Sequence, residues 1–136
     1  MTRDPARIAL ACVLGLLALF QLALALGAPW GAAAWGGGSE GVLPAHLRIA
    51  SGFAAVLWGW AALVVAGKSL GVVGQRRVLL VLGVLSLVSL AMNLASPSAL
   101  ERGIWAPFAL VMAVLSWVCW WRARVGADGT DPRPHA

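Results

Sequence analysis

Four apolar runs, each long enough to cross a bilayer, constrain this chain more than any other feature. Ile8 to Leu26 holds nineteen residues with Gln21 as its one polar side chain, and Ile49 to Ala66 holds eighteen with only Ser51. Val78 to Ala95 carries Ser86, Ser89 and Asn93, and a fourth run extends from Ile104 to Trp121. A hydrocarbon core about 30 Å thick needs about 20 apolar helical residues. Inside it no water satisfies the backbone, so each run must close its own hydrogen bonds as an α-helix. The pattern predicts an all-α fold, a bundle of four transmembrane helices over 8–26, 47–66, 78–95 and 104–121. Residues 1–136 form a single integral membrane domain, with 122–136 as a mobile tail.

Composition removes the soluble alternative. The chain is 61% hydrophobic and 11% charged, whereas soluble domains are about half apolar and a quarter charged. The net charge of +5 comes from cations set between the apolar runs, not from a basic stripe. That placement orients a membrane protein and attracts anionic lipid headgroups, so membrane lipids are expected as partners and nucleic acid is not. Ala25 and Gly27 form the small pair of a signal-peptide cleavage site. The first run exceeds the about 7 to 15 residues of a signal core, which favours a retained helix.

The cations also predict orientation. Arg3, Arg7, Lys68, Arg76, Arg77, Arg122, Arg124 and Arg133 fall at the termini and the second connection, against Arg48 and Arg102 in the other two loops. The positive-inside rule then places both termini in the cytoplasm and the long first loop, Gly27 to Arg48, outside. Trp30, Trp35 and Trp105 are expected at the outer boundary and Trp117, Trp120 and Trp121 at the inner one, where indole rings favour the headgroup layer. Trp58 and Trp60 fall near mid-span, where packing is the plainer reading and a cavity wall the sharper one.

Polar residues within the spans mark a candidate site. Ser86, Ser89 and Asn93 recur at i, i+3 and i+7, so they project from one helix face. A polar stripe costs too much against lipid and must point inward. With Gln21 and Ser51, and with Glu40, His46, Arg48, Glu101 and Arg102 from the two outer loops, Ser89 and Asn93 could line a shallow outward-facing pocket. The plainer reading gives the same residues to interhelical hydrogen bonds and surface ion pairs. On the second span Ser51, Ala55 and Gly59 form a small-residue face, suited to close packing inside the chain or, alternatively, in a homo-oligomer.

Local signals are modest. Ser98 and Glu101 have the capping-box spacing, Pro44 suits a first helical turn, Pro107 starts or kinks the fourth helix, and Gly36 to Gly38 read as a flexible turn. Lys68 to Arg77 reads as a tight polar turn. Cys12 and Cys119 stand alone, as small apolar filler. The sequence has no GxSxG, no HExxH, no phosphate-binding glycine loop and no Asp, Glu, Lys, Arg or His inside the four apolar runs. No catalytic, metal or cofactor site is expected.

The strings GAPWG, WGG, EGVLPAHLR and NLASPSALER resemble a family of small uncharacterised bacterial four-helix integral membrane proteins, known as a domain of unknown function. That resemblance implies the bacterial cytoplasmic membrane and carries no activity, cofactor or site residue. Two roles follow as expectations. One is a non-enzymatic small membrane subunit or accessory protein that binds a protein partner. The other is an oligomeric binding protein or permease for a small solute or lipid, working through the outer polar pocket.

Overall fold

A computed structural model describes residues 4–67 and 70–128. Four helices form, α1 (Pro5–Leu26), α2 (Ala45–Ala66), α3 (Gly71–Ala95) and α4 (Ala106–Asp128), with a π-helical turn at Glu101–Trp105 leading into α4. Each is long and apolar enough to cross a membrane. They pack as a bundle of two antiparallel hairpins, α1 with α2 and α3 with α4. The hairpins meet mainly along α1 and α4, while α2 and α3 touch little. Below, the end bearing residues 27–44 is the loop end, and the end bearing the α2–α3 turn is the connector end.

Helix ends follow local chemistry. Asp4 caps α1 by accepting from the Ala6 N–H at 3.0 Å, and Pro5, which lacks an N–H to satisfy, fits the first turn. Gly27 ends α1 at φ 100, and the N–H groups of Gly27 and Ala28 bond to Leu24 and Ala23 in a Schellman pattern. Pro44 stands just before α2 with extended backbone instead of inside its first turn. Gly67 closes α2 through its N–H to Leu63.

Two boundaries differ from the sequence reading. Gln75, Arg76 and Arg77, expected in a polar turn, lie in α3, which starts at Gly71. Gln75 is buried there because its amide donates to the carbonyls of Val64 and Gly67 at the end of α2. Its polarity is the means by which α3 covers open carbonyls, so hydropathy alone misplaces the helix start. The fourth helix runs to Asp128, so residues 122–128 of the expected tail are helical. The remaining tail residues and the cations Arg3, Lys68 and Arg133 lie outside the described residues. Pro107 stands at the second position of α4. It has no N–H for the carbonyl of Gly103, and the widened π-helical turn immediately precedes it.

The α1–α2 hairpin is held by small residues and by a reciprocal arginine clamp. A Cβ added at Gly52 would lie 3.8 Å from Ala25, and one at Gly59 would lie 3.9 Å from Ala18. That face of α2 therefore packs on α1 within the chain. Arg7, in the first turn of α1, donates to the carbonyls of Val65 and Gly67 at the end of α2. Arg48, in the first turn of α2, donates to Ala25 at the end of α1. Each guanidinium meets the negative end of the neighbouring helix dipole.

The main core, with Leu10, Leu14, Ala61, Val65, Leu79, Leu82, Met112 and Cys119, fills the connector half. A smaller cluster of Leu24, Ala34 and Leu43 lies under the loop. Elsewhere the helices show apolar side chains outward, including Leu19 at 63%, Phe53 at 75%, Leu63 at 73% and Met92 at 68% exposure. Such a surface suits hydrocarbon, and the chain is a multi-pass membrane protein in contact with lipid.

Candidate binding cavity

The loop between α1 and α2 folds back over the bundle as a roof. Its middle makes two 3-10 turns, Gly31–Ala33 and Trp35–Gly37. Gly31 is enclosed so tightly that an added Cβ would come within 2.6 Å of the Ser39 carbonyl and 2.8 Å of the Gly41 carbonyl. Gly37 has φ 68 and lies against Ser98, where a Cβ would approach to 2.9 Å. Trp35 holds a left-handed backbone at φ 54, which costs an L-residue about 1 to 2 kcal/mol. Its indole N–H donates to Ser51 Oγ on α2 at 3.1 Å and fixes it there.

Glu101 fastens this roof to the other hairpin. Its Oε1 accepts from the Gly36 N–H at 2.6 Å, and its Oε2 accepts from Ser96 Oγ at 2.6 Å. The expected capping box is half made. Ser98 Oγ accepts from the Glu101 N–H at 3.3 Å, but the carboxylate reaches across the bundle instead of back to Ser98. The Ser98 N–H goes to Ser96 Oγ. Trp105 adds a second tie, its indole N–H donating to the Ala33 carbonyl at 2.5 Å. The glycine run Gly36 to Gly38 is therefore fastened through Gly36 and seated on Ser98 at Gly37.

Beneath the roof is a cavity of about 390 Å³ between the two hairpins. Its walls come from all four helices, with Leu17, Phe20 and Gln21 on α1, Trp58 on α2, Leu85, Ser86, Val88, Ser89 and Asn93 on α3, and Phe108, Ala109 and Met112 on α4. Glu101 and Trp105 border its upper part with Ala33, Ala34 and Trp35 of the roof. Phe20 stacks with Trp30 at 5.9 Å and meets Trp105 at 4.6 Å, and Trp105 meets Phe108 edge-on at 5.5 Å. The linked rings hold one wall in place. On the α1 and α4 side Glu101, Ala109 and Met112 are buried, whereas Leu85 and Val88 on α3 are 46% and 55% exposed. Trp35 of the roof, which also lines the cavity, is 48% exposed, so the exposed part of the lining lies on α3 and on the roof.

Four of the residues singled out from sequence, Gln21, Ser89, Asn93 and Glu101, meet along this cavity with Ser86. Ser86 donates to the Leu82 carbonyl at 2.7 Å, and Asn93 Nδ2 donates to the Ser89 carbonyl at 2.7 Å and Oγ at 3.1 Å. Gln21 Oε1 is buried with no hydrogen-bond partner. The other five lie elsewhere. Glu40 and His46 are exposed on the loop and the start of α2. Arg48 caps α1, Ser51 is fully buried as the acceptor for Trp35, and Arg102 donates to the Ser96 carbonyl. Glu40 and Glu101 make no ion pair with Arg48 or Arg102; the one ion pair among the described residues joins Asp4 and Arg122. Among the described residues no three of His, Cys, Asp and Glu gather as a metal site.

The aromatic walls escaped the sequence reading. Phe20 and Phe108 look like ordinary apolar residues of a span, and only tertiary contact groups them. Trp58 offered a signal, since its indole lies too deep for the headgroup layer, and it lines the cavity. Trp117, expected in the inner belt, packs on α3, where a Cβ on Gly83 would lie 3.1 Å from its Nε1.

No protein-family model, curated protein or solved structure matches the chain, so the resemblance read from its loop motifs identifies no family. Fold and cavity together define a small four-helix membrane protein with a partly polar chamber between its hairpins.

Proposed function

We propose that this protein binds a small lipid-soluble molecule in the chamber between its hairpins, as a carrier or permease rather than a catalyst. The observation that carries this reading is the 390 Å³ cavity itself. Its size falls within the about 300 to 1,000 Å³ of small-molecule sites, and its lining of aromatic walls with a few polar groups is typical of them. The roof is tied down through Trp35, Gly36 and Trp105, which favours entry from the membrane past α3. The alternative role as an accessory subunit is less well supported, because the small-residue face of α2 packs on α1.

The test uses a neutral apolar fluorophore, N-phenylnaphthylamine, with the full chain in detergent. Wild type should bind it saturably, and Ala109→Phe, which fills the cavity from α4, should lose at least about tenfold in affinity, the cost of about 1.4 kcal/mol. Equal binding by a folded Ala109→Phe protein would sink the proposal.

The same proposal places the loop end outside a bacterial cytoplasmic membrane and both termini in the cytoplasm. The bias of cations towards the termini and the connector supports this. A C-terminal reporter active only outside the cell should stay dark, and activity would reverse the orientation.

A further inference from the structure

The carboxylate that ties the roof has an electrostatic position that the proposed binding role leaves open. Glu101 is 7% exposed and borders the cavity. Both its oxygens accept from neutral donors, the Gly36 N–H and the Ser96 hydroxyl. Among the described residues no cation forms an ion pair with it. Arg102 is committed to the Ser96 carbonyl, Arg48 to Ala25, and the one ion pair of the described residues joins Asp4 and Arg122. A buried charge without a partner is costly and is retained where something else supplies the counter-charge.

Two other polar groups of the chamber add acceptors. Asn93 spends its N–H groups on Ser89, so its carbonyl oxygen is left over. Gln21 Oε1 is buried without a partner. The chamber therefore offers acceptors and negative charge, together with the rings of Phe20, Trp35, Trp58, Trp105 and Phe108. Ring faces attract cations through their quadrupoles, above all cations with a thin hydration shell. An anionic lipid headgroup would find no cationic side chain among the lining residues.

Resting on the proposed binding role of the cavity, we infer that its ligand is a lipophilic organic cation, with Glu101 as its counter-charge and the aromatic walls around its apolar groups. Entry past Leu85 and Val88 requires a molecule at home in hydrocarbon, and the carboxylate at the upper end selects its sign.

Two ions of nearly the same shape and opposite charge test this, tetraphenylphosphonium and tetraphenylborate. Each is measured by equilibrium dialysis against the full chain in detergent and corrected for uptake by protein-free micelles. Wild type should bind the phosphonium at least about tenfold more tightly than the borate, and Glu101→Gln should weaken phosphonium binding by at least about tenfold. Glu101→Asp keeps the charge and should keep the preference. If Glu101→Gln does not fold, the preference of wild type and Glu101→Asp decides. Equal affinity for the two ions, or an unchanged phosphonium affinity in a folded Glu101→Gln protein, would overturn the cation assignment. In that case the cavity reading stands so long as N-phenylnaphthylamine still binds; failure of all three probes removes both.

Discussion

At the connector end, Arg7 of α1 and Gln75 of α3 both donate to carbonyls at the end of α2, and Asp4 pairs with Arg122 across the termini at 2.6 Å. At the loop end, Glu101 and Trp105 reach across to the backbone of the roof, and Trp35 reaches down to Ser51. The first set of ties lies over a filled core and serves to satisfy helix ends. The second holds a roof above a space that the chain leaves unfilled. Polar residues therefore have different meanings at the two ends. Near the connector Arg7 and Gln75 complete the backbone of neighbouring helices, with Ser116 Oγ buried in the core without a partner, and near the loop Gln21 and Asn93 keep unused acceptors beside a cavity.

This contrast can be broken most forcefully at Gly31. The Cβ of Gly31→Ala would meet two backbone carbonyls, so the roof itself must move, with an expected loss of about 1 to 3 kcal/mol. Thermal unfolding in detergent should show the drop, and cleavage at Glu40 by a glutamate-specific protease should accelerate. Gly15→Ala, where a Cβ meets nothing within 4 Å, should leave both unchanged or slightly improve stability. A Gly31→Ala protein as stable and protected as wild type would mean that the roof is not a fixed element.

A smaller effect is expected at the other end. Arg7→Met keeps an apolar stem but leaves the carbonyls of Val65 and Gly67 without their guanidinium. Interhelical hydrogen bonds of membrane proteins average about 0.6 kcal/mol and reach about 1.7 kcal/mol. Unfolding of Arg7→Met should fall in that range, with ligand binding unaffected. Loss of N-phenylnaphthylamine binding in a folded Arg7→Met protein would erase the distinction between the two ends.

Much of the fold was legible because it is local. A run such as Ile8 to Leu26 carries its helix in its own hydropathy, and Ser86, Ser89 and Asn93 fall on one face by helical period alone. The start of α3 was not legible, since Gln75 looks like part of a turn until the carbonyls of Val64 and Gly67 stand beside it. The candidate site was half legible. Gln21, Ser89, Asn93 and Glu101 stand out as polar residues near or within apolar spans, but so do Ser51 and Arg48, which the structure assigns to Trp35 and to the end of α1.

What the sequence alone determined is the number of spans, their apolar surface and which residues could be polar inside them. A bilayer enforces those features residue by residue through the cost of exposing polar groups to hydrocarbon. Only the tertiary structure decided that α2 and α3 stay apart, and that a glutamate 65 residues from Gly36 in sequence fastens the roof. It alone also placed Phe20, Trp58 and Phe108 around one chamber. Those outcomes depend on how whole helices pack, and lipid-like side chains give no local signal of which neighbour they will meet.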